Sequence, residues 1–229
     1  MLRVFIGYDS REVVAFHVLV HSLLRHSSQP LAIYPLYRPA LIASGLYTRE
    51  SDSLESTEFS LTRFFVPYLS NYEGVSLFMD CDMLCQSDVG ELFAYAEAAP
   101  FSSCFVVKHD YIPKSSVKMD GQVQSVYPRK NWSSVILFQN SMCHRLTPDY
   151  VNTVTPAMLH RFTWTQDELI CPLPLEWNWL VGEYESRLDV PMLHYTLGGP
   201  WFPQYRGGPE ANRWVQEYES MGVLWQPIS

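Results

Sequence analysis

A buried strand that ends in acids constrains this chain more than any other feature. Val75-Ser76-Leu77-Phe78-Met79 reads as that strand, and it runs straight into Asp80-Cys81-Asp82. Two carboxylates, one residue apart, therefore leave the strand at one place. Oxygen ligands of this kind suit Mn²⁺ or Mg²⁺, which are commonly held by one or two carboxylates together with substrate phosphates. A solvated turn is the plainer reading of an Asp-x-Asp pair. The preceding strand argues against it, because it aims both groups at one spot.

The rest of the chain alternates in the same way. Residues 2 to 7 read as a strand closed by Gly7, and Tyr8-Asp9-Ser10 as a turn in which Ser10 caps a helix running to about His26. That helix carries Val13, Val14, His17, Val20, His21 and Leu24 on one face. Leu31 to Leu36 is a second strand, and 38 to 56 is polar and irregular, with the composition of a mobile loop. A helix is expected over 58 to 69, with Pro67 at a kink or an end. Asp88-x-x-Glu91 has the form of a capping box opening a helix to about Ala98. Ser103 to Val107 is a strand delivering Lys108-His109-Asp110, and 111 to 132 is polar and basic. Strand 134 to 138, helix 149 to 159, strand 191 to 195 and helix 209 to 221 follow. Strands alternating with helices imply an α/β class with a mostly parallel sheet, whose ligands lie beyond the strand carboxyl ends. Asp9, Asp82 and Asp110 all fall at such exits.

At 229 residues the chain has the length of a single domain, here 1 to 229, and 47% hydrophobic residues are enough for a sizeable core. A net charge of -8 without a basic stripe argues against nucleic acid as a partner. It also means that an anionic substrate needs a cation or a few placed basic groups. The five cysteines, Cys81, Cys85, Cys104, Cys143 and Cys171, show no Cys-x-x-Cys or zinc spacing. Reduced, buried thiols in a cytoplasmic protein are the expectation. The first residues read as a strand rather than a secretory signal. No apolar stretch approaches the roughly 20 residues that span a bilayer, which leaves peripheral membrane contact open.

Three further segments bear on the acidic pair: Thr165-Gln166-Asp167-Glu168-Leu169, Leu173-Pro174-Leu175-Glu176-Trp177-Asn178, and His194-Tyr195-Thr196-Leu197-Gly198-Gly199-Pro200-Trp201. With these in place, in this order, the chain from about residue 3 to about 202 resembles the retaining, nucleotide-sugar-dependent glycosyltransferases of family eight, the glycogenin-like group. The resemblance implies the GT-A fold, a Rossmann-like arrangement with a mixed, mostly parallel central sheet flanked by helices. It implies Asp80, Asp82 and His194 as ligands of Mn²⁺ (or Mg²⁺) on the diphosphate of a UDP-sugar donor. Gln166 is then placed near the anomeric carbon and Asp167 on the sugar, as the catalytic pair. Tyr8 and Asp9 match the family's base and ribose contacts, although Asp9 equally suits a cap of the following helix. Arg63 matches an Arg that faces donor oxygens. Cys81, Ser133, Gly198 and Gly199 complete the donor-contacting candidates.

The chain also departs from the family pattern. The family's first Asp of the Asp-Gln-Asp segment is Thr165 here, and its Lys-Pro-Trp is Gly199-Pro200-Trp201. Backbone N–H groups at Gly198 and Gly199, or Lys114, Lys118, Arg129, Lys130 or Arg206, are candidates for the missing phosphate contact. In Asn131-Trp132-Ser133-Ser134-Val135, Trp132 stands where the family has an Asn beside the donor sugar. Trp177, Trp179 and Trp201 offer indole faces for an acceptor, with core packing expected for at least one. The reading is a metal-dependent enzyme that moves a sugar to a carbohydrate or other hydroxyl acceptor. The alternatives are a sugar-nucleotide-binding module without activity and a nucleotidyltransferase. The latter would carry a Gly-rich basic loop after the first strand, which Gly7-Tyr8-Asp9-Ser10 is not.

Overall fold

The computed structural model describes residues 1–50, 57–111 and 128–222, and the backbone of 117–118 and 122–123. The elements in chain order are β1 (Leu2–Gly7), α1 (Val13–His26), β2 (Leu31–Leu36), α2 (Arg38–Ala43), α3 (Val66–Leu69) and β3 (Val75–Met79). Then come β4 (Met83–Cys85), α4 (Gly90–Ala98), β5 (Cys104–Val107), β6 (Val117–Lys118), β7 (Gln122–Val123) and β8 (Val135–Gln139). The chain continues through α5 (Pro148–Thr153), α6 (Pro156–His160), β9 (Ile170–Leu173), β10 (Trp179–Leu180), β11 (Met192–His194) and α7 (Ala211–Ser220).

Six strands form the main sheet in the order β2-β1-β3-β8-β5-β9. β1 runs parallel to β2 and β3, and β5 parallel to β9. β8 is antiparallel to both its neighbours, β3 and β5. This reversal matters for function. It brings the amino end of β8, with Ser133 and Ser134, to the edge where β1, β3 and β5 end. Phe16, Leu19 and Leu23 of α1, Leu92 of α4, Val151 of α5 and Leu159 of α6 share one buried cluster with the sheet's Val4, Ile6, Leu77 and Ile136. A second sheet, β10-β11-β4, lies beside the first. It is packed under Val18 of α1 and Trp214 of α7, with Leu84, Trp179, Leu193 and Tyr195 filling the space.

Several helix expectations shift for identifiable reasons. α1 starts at Val13 behind Glu12, not Ser10, whose hydroxyl instead donates to Glu58 Oε1 at 2.6 Å. Its buried face is Ala15, Phe16, Val18, Leu19, Ser22 and Leu23, whereas Leu24 is exposed, because the helix packs against both sheets at once. The stretch 38–43 is helical, with Pro39 in the first turn; 51–56 lie outside the described residues. The helix expected over 58 to 69 is a 3₁₀ turn, Thr62–Phe65, leading into α3, with Pro67 in the first turn of α3. Asp88 caps by accepting from the Gly90 amide at 2.9 Å, without a reciprocal bond from Glu91. The single helix expected over 149 to 159 is two. Pro156 cannot continue α5, and it opens α6 instead. Thr147 and Thr155 cap the pair, each accepting from the amide three residues on.

Gly7, the last residue of β1, is required by packing. A Cβ there would lie 2.3 Å from the fully buried Phe59 ring. Gly7→Ala is expected to cost about 1–3 kcal/mol through displacement of that ring. Urea denaturation of parent and variant measures it, and equal midpoints with equal slopes would show that Phe59 gives way freely.

Candidate functional site

Two strand pairings build the site. β3 ends at Met79, and the Asp80 amide donates to Ser134 O at 3.0 Å, which pins the first acid to the start of β8. After Cys81 the chain enters β4, which pairs antiparallel with β11 so that His194 stands opposite Met83. The Tyr195 amide closes this ladder onto Asp82 O at 2.9 Å. A histidine more than 100 residues away in sequence is thereby set against the acidic pair.

Asp80, Asp82 and His194 are all buried, and one ligand atom from each lies within 4.8 Å of the others. His194 Nε2 is 3.3 Å from Asp82 Oδ1. Ligands about 2.1 Å from a cation and at right angles to each other would be roughly 3 Å apart, so the spacing fits. The imidazole's other nitrogen fixes its tautomer. Nδ1 lies 2.7 Å from Asn178 Oδ1, and Asn178 Nδ2 donates to Asn131 O at 3.2 Å. With its amide nitrogen so used, Asn178 presents its oxygen, and Nδ1 must carry the proton. Nε2 is then the nitrogen that faces the carboxylates and is placed to ligate a cation. Asn131 is left-handed (φ 61), a conformation asparagine tolerates, and its side chain donates to Tyr111 Oη at 2.8 Å.

Burial pushes the Asp80 carboxyl up to about 6, with the Asp82 charge adding to the rise and the Arg63 guanidinium opposing it. Arg63 is buried and fixed on three sides. Its Nη1 is 2.8 Å from Asp80 Oδ1 and donates to Ser133 O at 2.6 Å, and its Nε donates to Ser60 O at 2.9 Å. The guanidinium also sits over the rings of Phe59 and Phe78, at 5.3 and 4.8 Å. The Arg expected to face donor oxygens thus serves Asp80 first. Two carboxylates, an imidazole nitrogen and one counter-charge form a donor set suited to a hard divalent cation.

The other candidates divide between this edge and elsewhere. Asp9 is buried and accepts from the Arg11 amide and guanidinium and from the Glu58 amide. These bonds offset the penalty of burial, so its carboxyl lies below the usual range. Both its oxygens are engaged in holding the turn before α1. Tyr8 packs edge-on between Phe16 and Tyr37. Cys81 is buried, and its thiol donates to Glu12 Oε2 at 3.8 Å. Ser133 Oγ is 2.9 Å from His160 Nδ1. The Gly198 amide already donates to Tyr195 O at 2.7 Å, so the expected anion contact would have to displace that bond. Both glycines lie under aromatic rings instead. A Cβ would meet Tyr205 at 2.4 Å from Gly198 and Trp201 at 2.0 Å from Gly199. Gln166 and Asp167 are exposed at the amino end of β9, and Asp167 pairs with Arg129 at 2.6 Å. Trp177 and Trp179 are core residues, and Trp201 is half-buried. Lys114 and the Lys118 side chain lie outside the described residues.

Sequence reasoning missed Glu12. It is buried, accepts from Trp201 Nε1 at 3.2 Å, and receives the Cys81 thiol. Burial, then the charges of Asp82 and Asp9, hold its carboxyl well above the usual range. It ties α1, the acidic motif and the glycine-rich segment together. Its one signal was an acid three residues past Asp9, where the first turn of a helix usually faces solvent.

No family model matches the chain. Protein CDI of Arabidopsis thaliana is 45% identical over 224 residues, covering 95% of this chain and 86% of that relative. The chain belongs to the Protein CDI family. Its fold is that of the GT-A glycosyltransferases. The galactosyltransferase LgtC, solved with donor and acceptor sugar analogs, superimposes with a TM-score of 0.59 at 10% identity over 96% of both chains. The WbbM bifunctional glycosyltransferase gives 0.64 at 17% identity, and GlyE of Streptococcus pneumoniae TIGR4 gives 0.59 at 17%. The chain spans 49% of WbbM and 60% of GlyE. No helix among the described residues is long and apolar enough to cross a membrane.

Proposed function

We propose that this member of the Protein CDI family is a metal-dependent glycosyltransferase. It moves a sugar from a nucleoside-diphosphate sugar, a UDP-sugar by the family-eight likeness, to a hydroxyl acceptor with retention at the anomeric carbon. The observation that carries this reading is the buried Asp80–Asp82–His194 set, at the edge of a GT-A sheet where its strands end. Mn²⁺ or Mg²⁺ there would neutralise the diphosphate as it leaves. Asn178 holds His194 in the metal-binding tautomer, and Arg63 keeps Asp80 available as an anion. Gln166 and Asp167 are assigned to the sugar by the family-eight likeness alone. β9 runs parallel to β5 with Ile170 beside Cys104, so its amino end lies at the edge away from the cation set. The assignment requires this segment to move as well as Asp167 to leave Arg129.

The test is UDP-sugar hydrolysis and transfer with Mn²⁺, Mg²⁺ and EDTA. Turnover with metal and none with EDTA is expected. Metal-dependent binding without turnover would make the protein a sugar-nucleotide-binding module, a reading the absent lysine at Gly199-Pro200-Trp201 favours. Gln166→Ala is expected to lower turnover on the order of 10²-fold while leaving UDP affinity in place. Unchanged turnover in both Gln166→Ala and Asp167→Ala would put the chemistry on other groups.

Asn178→Ala is a gentler probe of the same site. Loss of a group that orients a metal-binding imidazole typically costs about 10–100-fold in metal affinity. Calorimetric titration with Mn²⁺ and UDP should show that loss. An unchanged affinity would mean that the His194 tautomer is fixed by something else.

A further inference from the structure

β5 ends by delivering His109 to the edge that carries the cation set, and nothing so far gives this residue a task. The His109 amide turns back onto Val107 O at 3.1 Å as the strand ends, so the side chain is directed by the strand exit itself. His109 is 6% exposed. Its Nδ1 is 2.8 Å from Tyr184 Oη, and its ring is flanked by Tyr184 and Tyr111 at 5.9 and 6.1 Å. Its carbonyl is held by Trp132 Nε1 at 3.0 Å. The opposite ring nitrogen, Nε2, is buried and has no hydrogen-bond partner among the described residues. A buried polar atom left in this state costs free energy unless a ligand satisfies it.

The surroundings identify the ligand chemistry. Burial, helped by the nearby His194, pushes the His109 imidazole down to about 3. The ring is therefore neutral throughout the physiological range. A neutral nitrogen gives no charge to a diphosphate and does not repel a cation at Asp80, Asp82 and His194. It suits a neutral hydroxyl of a ligand bound at this same edge of the sheet. We propose that His109 Nε2 binds a hydroxyl of the transferred sugar, making His109 a donor-binding residue. This rests on the glycosyltransferase reading above.

The experiment is calorimetric titration in Mn²⁺ with UDP alone and with UDP-glucose, UDP-galactose, UDP-N-acetylglucosamine and UDP-xylose. The sugar nucleotide that the parent binds most tightly is then used for the variants. His109→Phe fills the space without the nitrogen. It should leave the UDP Kd within about twofold and raise the sugar-nucleotide Kd about fivefold to tenfold, the worth of one neutral hydrogen bond. His109→Gln, which keeps a polar nitrogen at similar reach, should recover most of the loss. His109→Ala should show the same split as His109→Phe, and it stands in should the phenylalanine not fold. An unchanged sugar-nucleotide Kd overturns the assignment. Equal weakening of UDP and sugar nucleotide also overturns it, since His109 would then support the cation site. A parent that binds none of these compounds with Mn²⁺ brings down the glycosyltransferase reading itself.

Discussion

Asp82→Asn is expected to abolish metal-dependent UDP binding while leaving the fold intact. Loss of a group that merely orients a ligand costs about 10–100-fold in metal affinity, so loss of a ligand charge should exceed about 100-fold. The fold should survive because asparagine keeps the shape of the side chain, and relief of repulsion at Asp80 and Glu12 offsets the weakened contact with His194. Its charge raises both Asp80 and Glu12, which means that it repels them. The melting temperature without metal is therefore expected to hold or rise. The parent should gain stability with Mn²⁺ and UDP, by about 2.7 kcal/mol at a hundredfold excess over Kd, and the variant should gain none. Thermal melting of both proteins, with and without Mn²⁺ and UDP, is the measurement. A variant that keeps the ligand-induced shift would move the cation away from Asp82. One that melts far below the parent without ligand would mean the carboxylate is structural.

Legibility in the sequence followed how local each feature is. The run Val75–Met79 and its acids are adjacent, so strand, exit and ligand pair could be read together. The contact between Asp82 and His194 could not be derived that way. It depends on β4 and β11 pairing, and β4 is three residues long, too short for its periodicity to register. Only the likeness of the His194–Trp201 segment to a known motif pointed to it. β9 was missed because Ile170-Cys171-Pro172-Leu173 contains a proline, which the edge of the sheet tolerates. Asn178 and Asn131 read as ordinary polar residues, and their task exists only once His194 stands beside them. Arg63 was singled out but assigned to the ligand. The charge it meets, Asp80, lies across the amino end of β8, and no local pattern reports that crossing.

Arg63→Met is expected to lower stability by about 3–5 kcal/mol at pH 7.5, the usual cost of removing one partner from a buried ion pair. Methionine keeps an unbranched apolar stem against Phe59 and Phe78. The loss therefore reports the charge and its bonds more than the packing. Up to about 2 kcal/mol of it should depend on pH, and the sign follows from Asp80. Even beside Arg63, burial holds that carboxyl near 6, above the unfolded value of about 3.9. A carboxyl raised on folding binds its proton more tightly in the native state, so stability falls as pH rises from about 4 through the native value. Without the guanidinium the native value climbs further, and the cost above it grows. At pH 5 both proteins carry Asp80 largely protonated, and the remaining gap reflects the carbonyls of Ser60 and Ser133 losing their donor. Urea denaturation of parent and variant at pH 5 and pH 7.5 should thus show a gap that narrows toward acid. A gap of equal size at both values would mean that Arg63 holds the site through its carbonyl bonds. Asp80 would then need another source of the negative charge that a divalent cation requires.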